Sequence, residues 1–292
     1  MRKSELTREK QRLLWEDVMD YRIEYLEDSG NGIWNEDRLL VSDDIIGVID
    51  GATPIHKLQY KSYHTIAEWM VDSFVEKFKG YSNKLVHGYK SICKEIINEL
   101  GEDIYIKSLQ EFDKPCFTSA TVSINDTQIE CEVIGDSYIY VYLKDGRIVE
   151  ITDDRVDLYA QKTVKITNEV REFNGDVERA IEHQKIENRK MMNVKGGYWV
   201  VGFKGEFEKE FVEESFPLAD IKKILICTDG FGRIMKEFAL TTINQIFESN
   251  ISLSKLLEML RDYEDKKYED EQFPCVKKSD DATAVMMSFE RN

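Results

Sequence analysis

DDIIGVIDGATP, residues 43–54, is an apolar run that stops abruptly at a carboxylate and a glycine. Ile45, Ile46, Val48 and Ile49 read as a buried strand, and Asp50-Gly51 ends it at a sheet edge. Glycine there lets the backbone turn and its carbonyl be approached closely, which suits a metal ligand. Asp-Gly is also among the commonest turn dipeptides, so one copy carries little weight. The design recurs in KILICTDGFG, residues 223–232, where Ile224, Leu225, Ile226 and Cys227 lead into Asp229-Gly230. A third acidic element, Ser279-Asp280-Asp281, abuts the apolar run 282–289. Three buried strands thus each carry a carboxylate at one end.

The 292 residues are long enough to bury a substantial core. Hydrophobic residues make up 42% and charged residues 33%, with 16 Gly and 4 Pro, so no low-complexity linker divides the chain and a single domain over 1–292 is expected. Lys and Arg total 40 against 56 Asp and Glu, a formal net charge of −16. That balance repels phosphate backbones and anionic membranes, which argues against both as partners. The 5 cysteines are odd in number and include no CxxC pair, which fits reduced, buried thiols in a cytoplasmic protein and no zinc site. Neither a signal peptide nor an 18-residue apolar run is present.

Around those strands, residues 1–28 are charged and expected to be helical, with Leu13, Leu14, Trp15, Val18 and Tyr21 available for packing. A turn-rich loop over 28–34 precedes Asn35-Glu36-Asp37-Arg38 and a strand at 39–41, hairpinned to the Asp50 strand. Ile66, Met70, Phe74 and Phe78 define one helix, and Leu85, Tyr89, Ile92, Ile96 and Leu100 a second. From Thr118 the period changes to 2. Strands at 119–124, 129–134, 138–143 and 148–152, joined by short links, read as an antiparallel meander. Ile129, Cys131 and Val133 alternate with Glu130 and Glu132, giving that strand one wet face.

Residues 153–192 are polar and helical in pattern around Val177 and Ile181, a candidate flap insertion. Residues 198–201 return to a sheet, helices follow at 235–247 and 253–263, and an acidic loop at 264–271 leads to the last strand. Strands grouped into sheets with paired helices between them describe an α+β sandwich.

Three carboxylates at one end of a sheet core resist joint ionisation unless cations lie between them. Oxygen-only ligation selects Mg²⁺ or Mn²⁺ over Zn²⁺. A pair of such ions about 3.5–4 Å apart can activate a shared water for in-line attack on phosphorus, so metal-assisted phosphate ester hydrolysis is the expected reaction class.

The order of motifs resembles the type-2C metal-dependent protein serine/threonine phosphatases. The matches run Asn35-Glu36-Asp37, Val48-Ile49-Asp50-Gly51, Thr118-Ser119-Ala120-Thr121, Gly135-Asp136-Ser137, Ile226-Cys227-Thr228-Asp229-Gly230 and Asp280-Asp281-Ala282-Thr283. Each is weak alone, but six in family order span residues 35–283, as in a divergent, bacterial-like member. The resemblance implies a four-layer αββα sandwich of two antiparallel sheets flanked by helix pairs. It implies two Mn²⁺ or Mg²⁺ ions, with Asp50 bridging them, the Gly51 carbonyl on one, Asp229 and Asp280 completing the other, and Asp136 at a weak third site. Glu36 and Asp37 would orient metal-bound water. The implied substrate is a phosphoserine or phosphothreonine protein, and the implied partner a cognate serine/threonine kinase.

Departures from the family pattern follow Gly51, where Ala52-Thr53-Pro54 replaces a histidine or methionine and two glycines. Ala52 stands where some members carry a proton-donating histidine, with His56 as a substitute. Gly32 stands where many members have a phosphate-binding arginine, leaving Arg22, Arg38 and Lys57 as candidates. Arg233 lies where an aspartate often serves the third ion, and could itself face phosphate. Two other readings stay open: a noncatalytic regulatory or binding module, and a phosphatase of a small phosphorylated metabolite covered by the 153–192 flap.

Overall fold

The computed structural model describes residues 21–30, 32–42, 44–52, 55–56, 59–172, 176–249, 251–268 and 278–289. Among these, two antiparallel five-stranded sheets form the centre. In the first sheet the order is β1 (Tyr21–Asp28), β10 (Ala282–Phe289), β9 (Ile221–Cys227), β6 (Tyr138–Leu143) and β7 (Ile148–Ile151). In the second it is β2 (Asp37–Val41), β3 (Ile45–Gly51), β4 (Phe117–Ile124), β5 (Gln128–Ile134) and β8 (Val212–Pro217).

Period-2 alternation explains the layers. Along β3, Ile46 and Val48 face the other sheet and meet Ile139, Ile226 and Val285, while Ile45 and Ile49 face outward. That outer face is covered by α1 (Ile66–Gly80) and α3 (Tyr89–Leu100), through Met70, Phe74, Ile92 and Ile96. The short helices α2 (Lys84–His87) and α4 (Ile104–Ser108) flank α3. On β9, Ile224 and Ile226 point inward, whereas Leu225 and Cys227 pack under α7 (Asp229–Lys236), α8 (Ile243–Glu248) and α9 (Leu253–Tyr268), where Phe231, Ile246, Leu256 and Leu260 are buried. Each such side chain contributes about 1.5–3 kcal/mol. The result is the α+β, four-layer αββα arrangement. Helices α5 (Asp157–Glu172) and α6 (Val177–Lys190) form a separate antiparallel pair joined to the body by a small cluster of Cys116, Tyr159, Met192, Tyr198 and Val200.

Several expectations need correction. Residues 21–28 are the edge strand β1 and not the end of a helix, because Tyr21, Ile23 and Tyr25 pack on the inter-sheet core; residues 1–20 lie outside the described residues. The meander is broken, since Gly135-Asp136-Ser137 carries the chain from β5 in the second sheet to β6 in the first. Gly135 makes that passage at φ +80°, with a virtual Cβ only 2.3 Å from Thr118 Cγ2. Glu132 is buried, so β5 is dry there, and only Glu130 is exposed. Gly88, at φ 75°, cuts the second expected helix into α2 and α3. The expected helix at 235–247 divides into α7 and α8 around Ala239 at φ 48°.

Residues 264–268 of the expected acidic loop are instead the end of α9, with Glu264 buried, and 269–271 lie outside the described residues. Residues 198–201 make isolated bridges rather than a strand, and β8 went unread. Cys93, Cys116, Cys131 and Cys227 are buried free thiols, as expected, and Cys275 lies outside the described residues. Among the described residues no helix is long and apolar enough to cross a membrane.

Candidate active site

Strand register brings the acidic motifs to one end of the sandwich. In the second sheet Asp37, the first residue of β2, pairs with Asp50 near the end of β3, and Asp50 pairs in turn with Thr118 of β4. Like charges directly opposite are normally destabilising, so this pair is held for another reason. Gly51 N–H donates to the Glu36 carbonyl at 3.0 Å, and a Cβ on Gly51 would lie 2.6 Å from that oxygen. Only glycine keeps the turn this tight.

The first sheet contributes the rest from the same end. Asp229 is not in β9 but opens α7, with Thr228 before it as the N-cap. Thr228 Oγ1 donates to Asp37 Oδ2 at 2.8 Å and accepts the Thr283 N–H at 3.0 Å, joining the two sheets. Glu36 N–H donates to Asp281 Oδ2 at 2.6 Å, a second link between sheets. A Cβ on Gly230 would fall 1.8 Å from the Asp281 carbonyl and 3.1 Å from Asp280 Cβ, so the first turn of α7 lies directly on residues 280–281. Asp136 sits in the tight passage between β5 and β6. The Glu36 carboxylate accepts from Thr65 Oγ1 at 2.6 Å, and Thr65 caps α1 by accepting the Glu68 N–H.

These carboxylates lie near enough to bear on one another's charge. Burial, then the negative charge of Asp281, Asp280 and Asp229, pushes Asp37 well above the ordinary carboxylate range, against a lowering by Thr228. Asp50 is likewise raised, by burial first and then by Asp37, Asp229, Asp136 and Asp280. Asp37 is 1% exposed, whereas Asp50 retains a path to solvent.

Among the described residues no three Asp, Glu, His or Cys side chains converge as a ready-made chelating group. Asp37 and Asp281 are turned instead toward Thr228 and the Glu36 amide. The donor chemistry still fits a hard divalent cation. Every candidate donor is an oxygen, and the two carboxylates driven toward neutrality are those a nearby dication would return to charge.

The candidate cations are mostly committed elsewhere. Arg38 bonds Asp72 at 2.5 Å and the carbonyls of Asn35 and Asp37 at 2.5 and 2.6 Å, so it braces the Glu36–Asp37 turn. Arg22 pairs with Ser288, at the opposite end of β1 from Asp28. Arg233 is engaged by Glu264 at 2.5 Å and Glu237 at 2.7 Å. Lys57 lies outside the described residues. His56 contacts Asp113 at 2.8 Å and Glu182 of α6 at 3.6 Å.

Two residues near the site escaped the sequence reading. Arg189, from α6, bonds the Ala52 carbonyl at 3.2 Å and Cys116 Sγ at 3.0 Å, reaching the loop just after Gly51. Its sequence context is a polar helix with no distinguishing signal. His64 lies just before the α1 cap and stacks on Trp34 at 5.4 Å and 16°.

A protein phosphatase 2C family model matches residues 28–271, from the end of β1 past the end of α9. The chain belongs to the protein phosphatase 2C family. Solved structures of similar fold include the serine/threonine phosphatase PstP/Ppp of Mycobacterium tuberculosis, with TM-score 0.55 and 14% identity, covering 93% of this chain and 99% of that one. Another is the serine/threonine phosphatase Stp1 from Staphylococcus aureus, with TM-score 0.55, 13% identity and coverage of 95% and 98%. The catalytic domain of PstP in complex with 2 manganese ions matches with TM-score 0.53 and 13% identity, over 93% and 99%. At these identities the likeness is one of fold. No curated protein matched by sequence. In this protein phosphatase 2C family member, Asp37, Asp50, Thr228 and Thr283 lie together at one end of the two-sheet sandwich.

Proposed function

We propose that this chain hydrolyses phosphate monoesters with two Mn²⁺ or Mg²⁺ ions, and that its substrates are phosphoserine and phosphothreonine in proteins. The reading takes residues 1–292 as one phosphatase domain, and its partners as a phosphoprotein and the serine/threonine kinase that made it. The observation that carries it is the mutual charge of Asp37, Asp50, Asp229, Asp136 and Asp280 at the mouth of the sandwich. Family membership and the manganese-bound PstP neighbour support the same chemistry.

In this reading Asp50, the Gly51 carbonyl, Asp229 and Asp280 hold the two ions, and Asp136 serves a weaker third. Such ions, when bound, neutralise the phosphoryl oxygens and acidify the attacking water. Asp37, buried and held by Thr228 Oγ1, and Glu36, held by Thr65 Oγ1, would orient the attacking water from outside the ions. Arg38 holds the turn between them through two carbonyls and so keeps both carboxylates aimed.

One observation favours a noncatalytic phosphatase-like module: no three donor side chains converge among the described residues. Activity decides between the two. A phosphoserine peptide should be hydrolysed only with Mn²⁺ or Mg²⁺ added, and Asp229→Asn should abolish turnover while the fold is retained. Full activity in chelator, or in the Asp229→Asn protein, would refute the metal mechanism. Metal binding without turnover would establish the binding module.

A further inference from the structure

Next to residues 280–281 lies an ion network that the catalytic reading does not use. Its centre is Glu264 of α9, whose side chain is 1% exposed. A carboxylate at that depth is costly unless paired. Two arginines pair it: Arg233 Nη1 donates to Oε1 at 2.5 Å and Arg261 Nη1 to Oε2 at 2.7 Å. Arg261 then spreads its remaining donors. Its Nε bonds Asp28 Oδ1 at 3.0 Å, and its Nη2 bonds the Asp280 carbonyl at 2.7 Å.

Asp28 carries the network into the loop after β1 by accepting the Gly30 N–H at 2.9 Å. Gly30 adopts φ +56°, and a Cβ there would lie 2.8 Å from the Asp280 carbonyl. The 280–281 segment is therefore pressed between the Gly30 loop and the Gly230 turn of α7, and is tied by one guanidinium. Helix α9 does not need this network for docking, since Leu253, Leu256 and Leu260 already bury its apolar face. Buried ion networks add little to stability compared with apolar packing, but a planar guanidinium fork fixes direction as well as distance.

We propose that Arg261 and Glu264 are positioning residues that set the Asp280 segment for cation binding, so that metal affinity at the cleft is governed from α9 on the outer layer. The inference rests on the metal-site reading above. Arg261 acts through the Asp280 backbone, and Glu264 acts by fixing the plane of Arg261 while engaging Arg233.

Calorimetric titration of Mn²⁺ into wild type, Arg261→Gln, Arg261→Lys and Glu264→Gln, with Tm of each metal-free protein, tests this. Removing an outer partner of a ligand should weaken Mn²⁺ affinity about 10–100-fold in Arg261→Gln, beyond what the fall in metal-free Tm accounts for as buried Glu264 loses one of its two arginines. Arg261→Lys keeps the charge but cannot bond Asp28, Glu264 and Asp280 together, so it should be weakened too. Glu264→Gln should shift in the same direction. If Arg261→Gln does not fold, the other two variants carry the comparison. Wild-type affinity in folded variants, or affinity that follows Tm alone across the series, would overturn the proposal. Failure of wild type to bind Mn²⁺ would instead overturn the metal reading on which it rests.

Discussion

At Gly230 the site admits a hydrogen and nothing larger, because a Cβ would sit 1.8 Å from the Asp281 carbonyl. Gly230→Ala must push α7 off residues 280–281, and the expected loss is about 3 kcal/mol or more in urea unfolding; an unchanged midpoint would contradict this close approach. Glu132 makes a different prediction. Burial first, then its cross-strand partner Glu213, against lowering by Lys90, raises its pKa from 4.5 to about 7. A raised acid binds its proton more tightly when folded, so stability is full below the unfolded value and declines as pH rises from about 4.5 to about 7. The whole effect is on the order of 3 kcal/mol, at about 1.4 per pH unit. Glu132→Gln should therefore melt above wild type at pH 8 and match it near pH 5, and equal Tm at both values would contradict the assignment. Asp50, Asp229 and Asp280 were legible in the sequence because each stands at the end of an apolar run. Glu132 and Glu264 were not. Glu132 lies beside Lys90 of α3, far away in sequence, and Glu264 draws one of its two arginines, Arg233, from another helix, although the other, Arg261, stands three residues before it.

Among the elements, the α5–α6 hairpin is lightly attached. Helix α6 buries none of its residues, and the pair is joined internally by Asn188, which donates to the Tyr159 carbonyl at 2.9 Å and Thr163 Oγ1 at 3.0 Å. Arg189 pins it to the body through Ala52 and Cys116. An element with few buried contacts opens at low free energy. Arg189→Ala should thus speed limited proteolysis within residues 157–190 while far-UV circular dichroism stays near wild type, and an unchanged cleavage rate would show that Arg189 is not the pin. Helices α1 and α9 could be read directly from their apolar stripes. Strand β1 could not, because tyrosines and glutamates in alternation also fit a charged helix, and β8 could not because its face is largely exposed. The split at Gly88 depends on a left-handed φ that a helical period does not encode.

Across the whole molecule, the two sheets meet at the cleft through Thr228 on Asp37 and the Glu36 amide on Asp281. The family order of six motifs was enough to give the αββα layers. Which sheet β6 joins was not legible, because a three-residue link has the same length whether it turns a hairpin or crosses between layers. Cations held by Asp50 of one sheet and by Asp229 and Asp280 at the edge of the other would tie the layers together. A ligand that binds only the folded state adds about 2.7 kcal/mol at 100 times its Kd, so Mn²⁺ should raise Tm and chelator should reverse the rise. The most direct test is to follow Mn²⁺ binding and phosphoserine-peptide hydrolysis in one titration of the wild-type protein. The account predicts two ions bound, with turnover appearing as the sites fill. Hydrolysis that ignores Mn²⁺ and Mg²⁺, or full occupancy without any turnover, would contradict it.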